Sequence, residues 1–460
     1  MNRRRAATAL VCLALCVATN PTGSAAAEVQ AAADGCSDDG GALLPDRATP
    51  LSALQTDLAW TVTQGAGVTV AVVDSGVDQT NPHLAAAMVT GGVDLVPDPP
   101  TRTPPVAPVP DPADPTSTAP PPPPPEPDPG HDGYADTGGY GTVVAGIVAA
   151  RPLDGSGVVG LAPEASILPV RVYQSDTDRA AEQGIGPDPA RTAQGIVYAA
   201  DHGAQIIVVA LSFPDDDPAL AAAVDHATAR GSLVVASAGD RPAQGKDPVP
   251  DGPRYPAAAP GALGVAAVDA TGLPVAGSVH GPHVMVAAPA QGVVAPANGG
   301  QDCAYAETAT RWATAYAAGA AALVAAAHPT ETPAQWAYRL TASAVRPDPD
   351  RRDDQTGWGA VQPYDALVLV PGTDVRGPAN PFTNTTPALE TTQADALRTT
   401  LTEAPWRDTR RAASTVAVAA LVALSVLGPL LVLRARRHEP TTDPLPSTGG
   451  LYRDPTAPVR

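Results

Sequence analysis

Three short stretches of the chain, residues 68–73, 206–211 and 233–236, are nearly unbroken apolar runs rich in β-branched side chains. A strand with one wet face alternates polar and apolar residues; runs without a polar face suit strands covered on both sides. Between them lie alanine-rich amphipathic stretches, residues 190–202 and 219–230, which fit surface helices. Strand, helix, strand, helix predicts an α/β domain with a mainly parallel sheet flanked by helices on both faces. The alternation runs over residues 44–372.

The ends of the chain read differently. Arg3, Arg4 and Arg5 precede a short apolar run over residues 6–18, and Ala25-Ala26-Ala27 satisfies the small-residue rule for cleavage. Residues 1–27 are therefore expected to be a secretory signal peptide. A lipoprotein signal at Cys16 is disfavoured because Leu15 stands where a small residue is needed. Residues 412–433 carry no charge and are long enough to cross a bilayer as a helix. Arg434, Arg436 and Arg437 follow at once, as the positive-inside rule expects, although Arg410 and Arg411 flank the other side. Together these features predict a single-pass protein of the cell membrane, its main domain outside and residues 434–460 forming a cytoplasmic tail. The bilayer is then one partner.

Residues 28–43 form an N-terminal extension. Residues 97–130 are a proline-dense insertion, with Pro120 to Pro125 in one run, and residues 373–411 are a Pro/Thr-rich stalk. Proline at that density blocks helix and sheet pairing and favours extended polyproline conformations, whether as a spacer or as a docking arm. Cys12 and Cys16 leave with the signal, so Cys36 and Cys303 are expected to form a disulfide in an oxidising compartment. A net charge of −19 with a single lysine, Lys246, argues against nucleic acid as a partner.

The segment Val70-Ala71-Val72-Val73-Asp74-Ser75-Gly76 is a buried strand running into an aspartate and a glycine turn. It resembles the aspartate motif of the subtilases, the subtilisin-like serine proteases. Further segments match that family in order: Gly141-Thr142-Val143-Val144-Ala145-Gly146, Gly160-Leu161-Ala162-Pro163, Leu168-Pro169-Val170-Arg171-Val172, Ser237-Ala238-Gly239, Tyr255-Pro256-Ala257-Ala258 and Ala317-Ala318-Gly319-Ala320. The layout of signal, cysteine-bearing extension, proline-rich insertion and C-terminal apolar helix is similar to the mycosins, subtilases associated with type VII secretion. That resemblance implies subunits of a type VII secretion membrane complex as partners. It implies no cofactor; subtilases often bind calcium, but no carboxylate loop here identifies a site, and the scattered histidines lack metal-ligand spacing.

The resemblance also implies a serine, a histidine and an aspartate acting together. Asp74 is kept. Tyr140 stands at the histidine position, and a phenol that titrates near pH 10 is a poor base. Arg311 stands at the serine position and has no nucleophilic atom. Asp240 stands at the oxyanion asparagine position, where a carboxylate repels the developing charge. The expectation is an inactive homologue with a structural part in the secretion complex. The alternatives are a serine endopeptidase with a shifted triad, drawing on Thr310, Thr314 or His131, and a peptide-binding module using the old cleft. Arg311 is expected to plug the site by pairing with Asp74 or Asp240, with the Tyr140 hydroxyl on Asp74.

Overall fold

The computed structural model describes residues 43–97, 132–241 and 249–383. The chain divides into two compact units, Met1–Pro387 and Ala388–Arg460, and all of the second lies outside the described residues. The same holds for residues 1–27, for Cys36, for the insertion from residue 98 to 131, for the stalk beyond residue 383, and for the apolar stretch 412–433. Among the described residues no helix is long and apolar enough to cross a membrane.

The predicted buried runs are strands. They are β1 (Thr69–Asp74), β4 (Ile206–Val209) and β5 (Leu233–Ser237), joined in one sheet by β2 (Val93–Asp94), β3 (Ser166–Arg171), β6 (Leu263–Val268) and β7 (Val286–Pro289). The order is β2-β3-β1-β4-β5-β6-β7, and every pairing in it is parallel. The chain moves outward from β1 in both directions, so β1 lies inside the sheet with its last residue, Asp74, at a carboxyl edge. A separate antiparallel hairpin pairs β8 (Val293–Pro296) with β9 (Asp302–Tyr305).

Short helices α1 (Thr49–Ala53) and α2 (Thr56–Ala59) precede the sheet. One face of the sheet carries α3 (Tyr140–Ala149) and the long α7 (Thr310–Ala327), followed by α8 (Pro333–Ala342) and α9 (Pro363–Val368). The other carries α5 (Pro189–Asp201) and α6 (Pro218–Ala229), with the small α4 (Asp178–Glu182) in the loop after β3. Both amphipathic stretches are thus helices, each begun by an aspartate, Asp188 or Asp217, whose side chain accepts a backbone N–H of the first turn. Ten of the 18 residues of helix α7 are alanine, which lets it lie deep against the sheet. Every residue in it is buried except Arg311, Ala326 and Ala327.

Cys303, on β9, is 1% exposed and disulfide-bonded. Its neighbour Asp302 is the centre of a buried polar cluster. His83 Nε2 stands 3.0 Å from one carboxylate oxygen, while Ser156 Oγ and the Leu44 N–H donate to the other at 2.6 and 2.9 Å. The cluster ties the first described residues to the hairpin.

Candidate active site

Asp74, Tyr140, Asp240 and Arg311 come from four separate elements, and the fold brings them together at the carboxyl end of β1. Two close approaches set the geometry. A Cβ built on Gly141 would lie 2.0 Å from the Gly76 carbonyl oxygen and 3.3 Å from the Asp74 Cβ, so only glycine lets the first turn of α3 reach the end of β1. Tyr140, one residue earlier, is thereby placed beside the aspartate. Asp136 holds the same turn from outside the helix. Its carboxylate accepts from the Gly139 N–H at 2.7 Å and the Thr142 N–H at 2.8 Å, and from the Thr142 and Ser75 hydroxyls at 2.6 and 2.8 Å.

Asp74 is 1% exposed. Its Oδ1 accepts from the Ser75 N–H and from the Tyr173 hydroxyl, both at 2.8 Å. Burial pushes its carboxyl up to about 6; the Ser75 and Tyr173 hydrogen bonds oppose the rise, Asp136 adds to it, and Arg311 opposes it. The parallel register pairs Asp74 with Arg171, which puts Tyr173 just past the strand end and next to the carboxylate. Burial and the facing Asp74 hold the Tyr173 hydroxyl well above the usual phenol range.

Asp240 accepts from the Thr310 N–H at 2.7 Å and from the Thr310 hydroxyl at 2.9 Å. Helix α7 has no side-chain cap of its own, because Ala309 occupies the N-cap position. Asp240 supplies one from the segment after β5 and sits at the positive end of the helix dipole. The Thr310 hydroxyl also shares a 2.5 Å hydrogen bond with Ser237 Oγ, which accepts from the Gly239 N–H. A chain of hydroxyls therefore leads from Gly239 to Asp240, where it ends on a carboxylate.

Arg311 lies on the same first turn of α7. Its guanidinium carbon stands 4.1 Å from the centre of the Tyr140 ring and 5.8 Å from the Trp312 ring. Nη2 is 3.8 Å from Asp176 Oδ2, the one carboxylate within 4 Å of it among the described residues. The expected plug is corrected here in both halves. Arg311 pairs with neither Asp74 nor Asp240, and the hydroxyl on Asp74 belongs to Tyr173, not Tyr140. The reason is prior occupancy. Asp240 is committed to capping α7, and Asp74 is sealed under Tyr173 inside the strand end. The guanidinium lies instead across an aromatic face, where a cation keeps an attractive partner without leaving water fully. Burial raises the Tyr140 hydroxyl above its usual range, with Arg311 opposing that rise.

Three residues of this site escaped sequence reading: Tyr173, Asp136 and Asp176. The first had a signal, since a strand ending in parallel register with β1 must deliver its next side chains to the same edge. The other two lie in loops and had none. Thr314, considered as a substitute nucleophile, is buried and donates to the Thr310 carbonyl at 2.7 Å within the helix. His131 lies outside the described residues. Among the described residues no group of three or more His, Cys, Asp or Glu side chains is placed to hold a metal ion.

The subtilase family profile (Peptidase S8) matches residues 65–359, a span that takes in all four positions. The chain belongs to the subtilase family. Its similarity to Mycosin-1 of Mycobacterium tuberculosis (strain ATCC 25618 / H37Rv) is 31% identity over 344 residues, covering 66% of this chain and 69% of that protein. Subtilisin E of Bacillus subtilis (strain 168) is 33% identical over 282 residues, covering 61% of each. Among solved structures, that of MycP1 with the N-terminal propeptide removed aligns with a TM-score of 0.55 at 28% identity, covering 71% of this chain and 99% of the other. The MycP3 protease from the type VII (ESX-3) secretion system aligns with a TM-score of 0.55 at 28% identity, covering 72% and 92%. This subtilase is therefore of the mycosin type.

Proposed function

We infer that this subtilase is a catalytically inactive member of its family, serving as a membrane-anchored structural component of a type VII secretion system. One observation carries the reading: at the site, a guanidinium lies 4.1 Å over a phenol ring where the family mechanism needs a hydroxyl beside an imidazole. An arginine side chain has no nucleophilic atom and keeps its charge. Tyr140, with its hydroxyl raised above the ordinary phenol range, stays protonated at neutral pH and so offers no general base there. The carboxylate that would orient a histidine is hydrogen-bonded to Tyr173. At the oxyanion position stands a second carboxylate, Asp240, already spent on the α7 terminus. Loss of the serine or histidine alone typically costs about a factor of a million in turnover. A shifted triad gains no support from the hydroxyls nearby. Thr310 and Ser237 are both buried, and their hydrogen-bond chain ends on a carboxylate with no imidazole in it.

The secretion-system assignment follows the solved relatives, one of which is described as an essential component of the type VII (ESX-1) secretion system. The domain assignments at the termini complete it: a cleaved signal over residues 1–27, an anchor over residues 412–433, and a Cys36–Cys303 bridge fixing the extension. A fluorophosphonate probe, which labels only an activated serine, tests the chemistry. The unmodified protein is expected to stay unlabelled, and Tyr140→His with Arg311→Ser and Asp240→Asn is expected to label. Labelling of the unmodified protein would overturn the inactive reading. Co-purification of the full chain with a detergent-extracted secretion complex tests the assembly; recovery free of any complex subunit would overturn that part.

A further inference from the structure

On the face of the sheet opposite α7, helices α5 and α6 run side by side and enclose a groove of about 690 Å³. Its walls are apolar, formed by Ala193, Val197 and Tyr198 of α5, Ala219 and Ala223 of α6, and Leu95 from the loop after β2. One end carries polar groups. His202 stacks on Tyr198 with ring centres 3.7 Å apart, and Asp201 pairs with both His226 and Arg230. A stacked aromatic pair beside a smooth alanine floor is the kind of surface that receives a polyproline segment, whose backbone is stiff beforehand and loses little freedom on docking.

The chain supplies such a segment beside this groove. Leu95 lines the groove, and the proline-rich segment 98–131 departs only three residues later. The segment returns at Asp132, whose carbonyl oxygen packs so closely on Gly92 that a Cβ there would lie 2.4 Å away. The α5 wall is fastened to the same loop, since the Tyr198 hydroxyl donates to the Gly91 carbonyl at 2.7 Å. Both ends of the segment and one wall of the groove are therefore anchored on residues 91–95. Reach is ample. Roughly 34 residues of polyproline extend ~100 Å, so even doubled back they exceed the ~20 Å length of α5.

We propose that the α5–α6 groove is a polyproline-binding site and that its occupant is the chain's own segment 98–131. This surface is separate from the Asp74 site, so the proposal does not depend on whether that site is inactive.

The test places an environment-sensitive fluorophore on the groove wall, at Ala222→Cys in the full chain, and compares it with the same protein in which residues 99–130 are replaced by a short Gly/Ser linker. The intact protein is expected to give the bluer emission, reporting a covered wall. A synthetic peptide spanning residues 104–127 should restore the blue shift in the linker variant, saturably, and leave the intact protein unchanged. A second variant, Ala219→Arg, puts a long charged side chain on the α6 wall and should abolish the peptide response while circular dichroism stays native. Equal emission from intact and linker proteins, with no peptide response, overturns the proposal. Equal peptide binding by both overturns the assignment of the occupant, because it shows an empty groove that takes such a ligand from a partner.

Discussion

Replacing Asp74 by asparagine should stabilise this subtilase at neutral pH. The side chain is fully buried and its carboxyl is pushed from 3.8 to about 6, with burial as the main cause. A shift of about 2 pKa units corresponds to about 3 kcal/mol at 1.36 kcal/mol per unit. Because the folded state holds this proton more tightly than the unfolded chain does, the stability it contributes is complete below about pH 4. It is lost as pH rises from about 4 through 6, where the native carboxylate must ionise in a dry site. An asparagine oxygen can still accept the Ser75 and Tyr173 hydrogen bonds, yet it has no proton to lose. Urea unfolding of both proteins at pH 4, 5, 6 and 7 measures the difference, and other titrating groups cancel when the two are subtracted at each pH. The variant should gain on the parent by about 3 kcal/mol across that window. A difference that stays flat, or a parent that gains on the variant as pH rises, would refute the reasoning.

Asp240→Ala removes the one side-chain cap of α7 among the described residues and leaves the buried Thr310 N–H without that acceptor; a loss of about 2 kcal/mol is expected in chemical denaturation, and Asp240→Asn should cost less than half of that. Asp302→Ala strands the fully buried His83 and should cost about 3 kcal/mol. Burial pushes the Asp302 carboxyl up, but the bonds from His83, Ser156 and Leu44 outweigh it and hold it below its usual range. The stability it contributes is therefore present above about pH 4 and lost on further acidification, so the gap between parent and Asp302→Ala should shrink there. Arg311→Ala removes a cation from the Tyr140 face; thermal unfolding should report a loss of about 1 kcal/mol, and fluorophosphonate labelling should remain absent.

Much of the architecture was legible because it depends on local rules. A run without a polar face demands cover on both sides, and 190–202 and 219–230 show an apolar stripe at helical spacing. The structure places strands and helices within a residue or two of those limits. The candidate site was legible as a set of positions but not as a set of contacts. Opposite charges at converging positions attract, which is why Arg311 is expected on Asp74 or Asp240. No local pattern shows that Asp240 is committed to a helix terminus and Asp74 to Tyr173, which is 99 positions away in sequence.

The amino-acid sequence alone determined the class of fold, the strand end that carries Asp74, and the choice of Tyr140 and Arg311 as residues that converge on it. Each of these is a property of one residue or one short window. The partners of these side chains were decided by the tertiary structure: Tyr173 on Asp74 through the β1–β3 register, Asp136 at the start of α3, Asp240 at the start of α7, and Arg311 across the Tyr140 ring toward Asp176. A long side chain has several attractive partners within reach, and packing decides which of them are already taken. That competition spans segments far apart in the sequence, and only the folded chain resolves it.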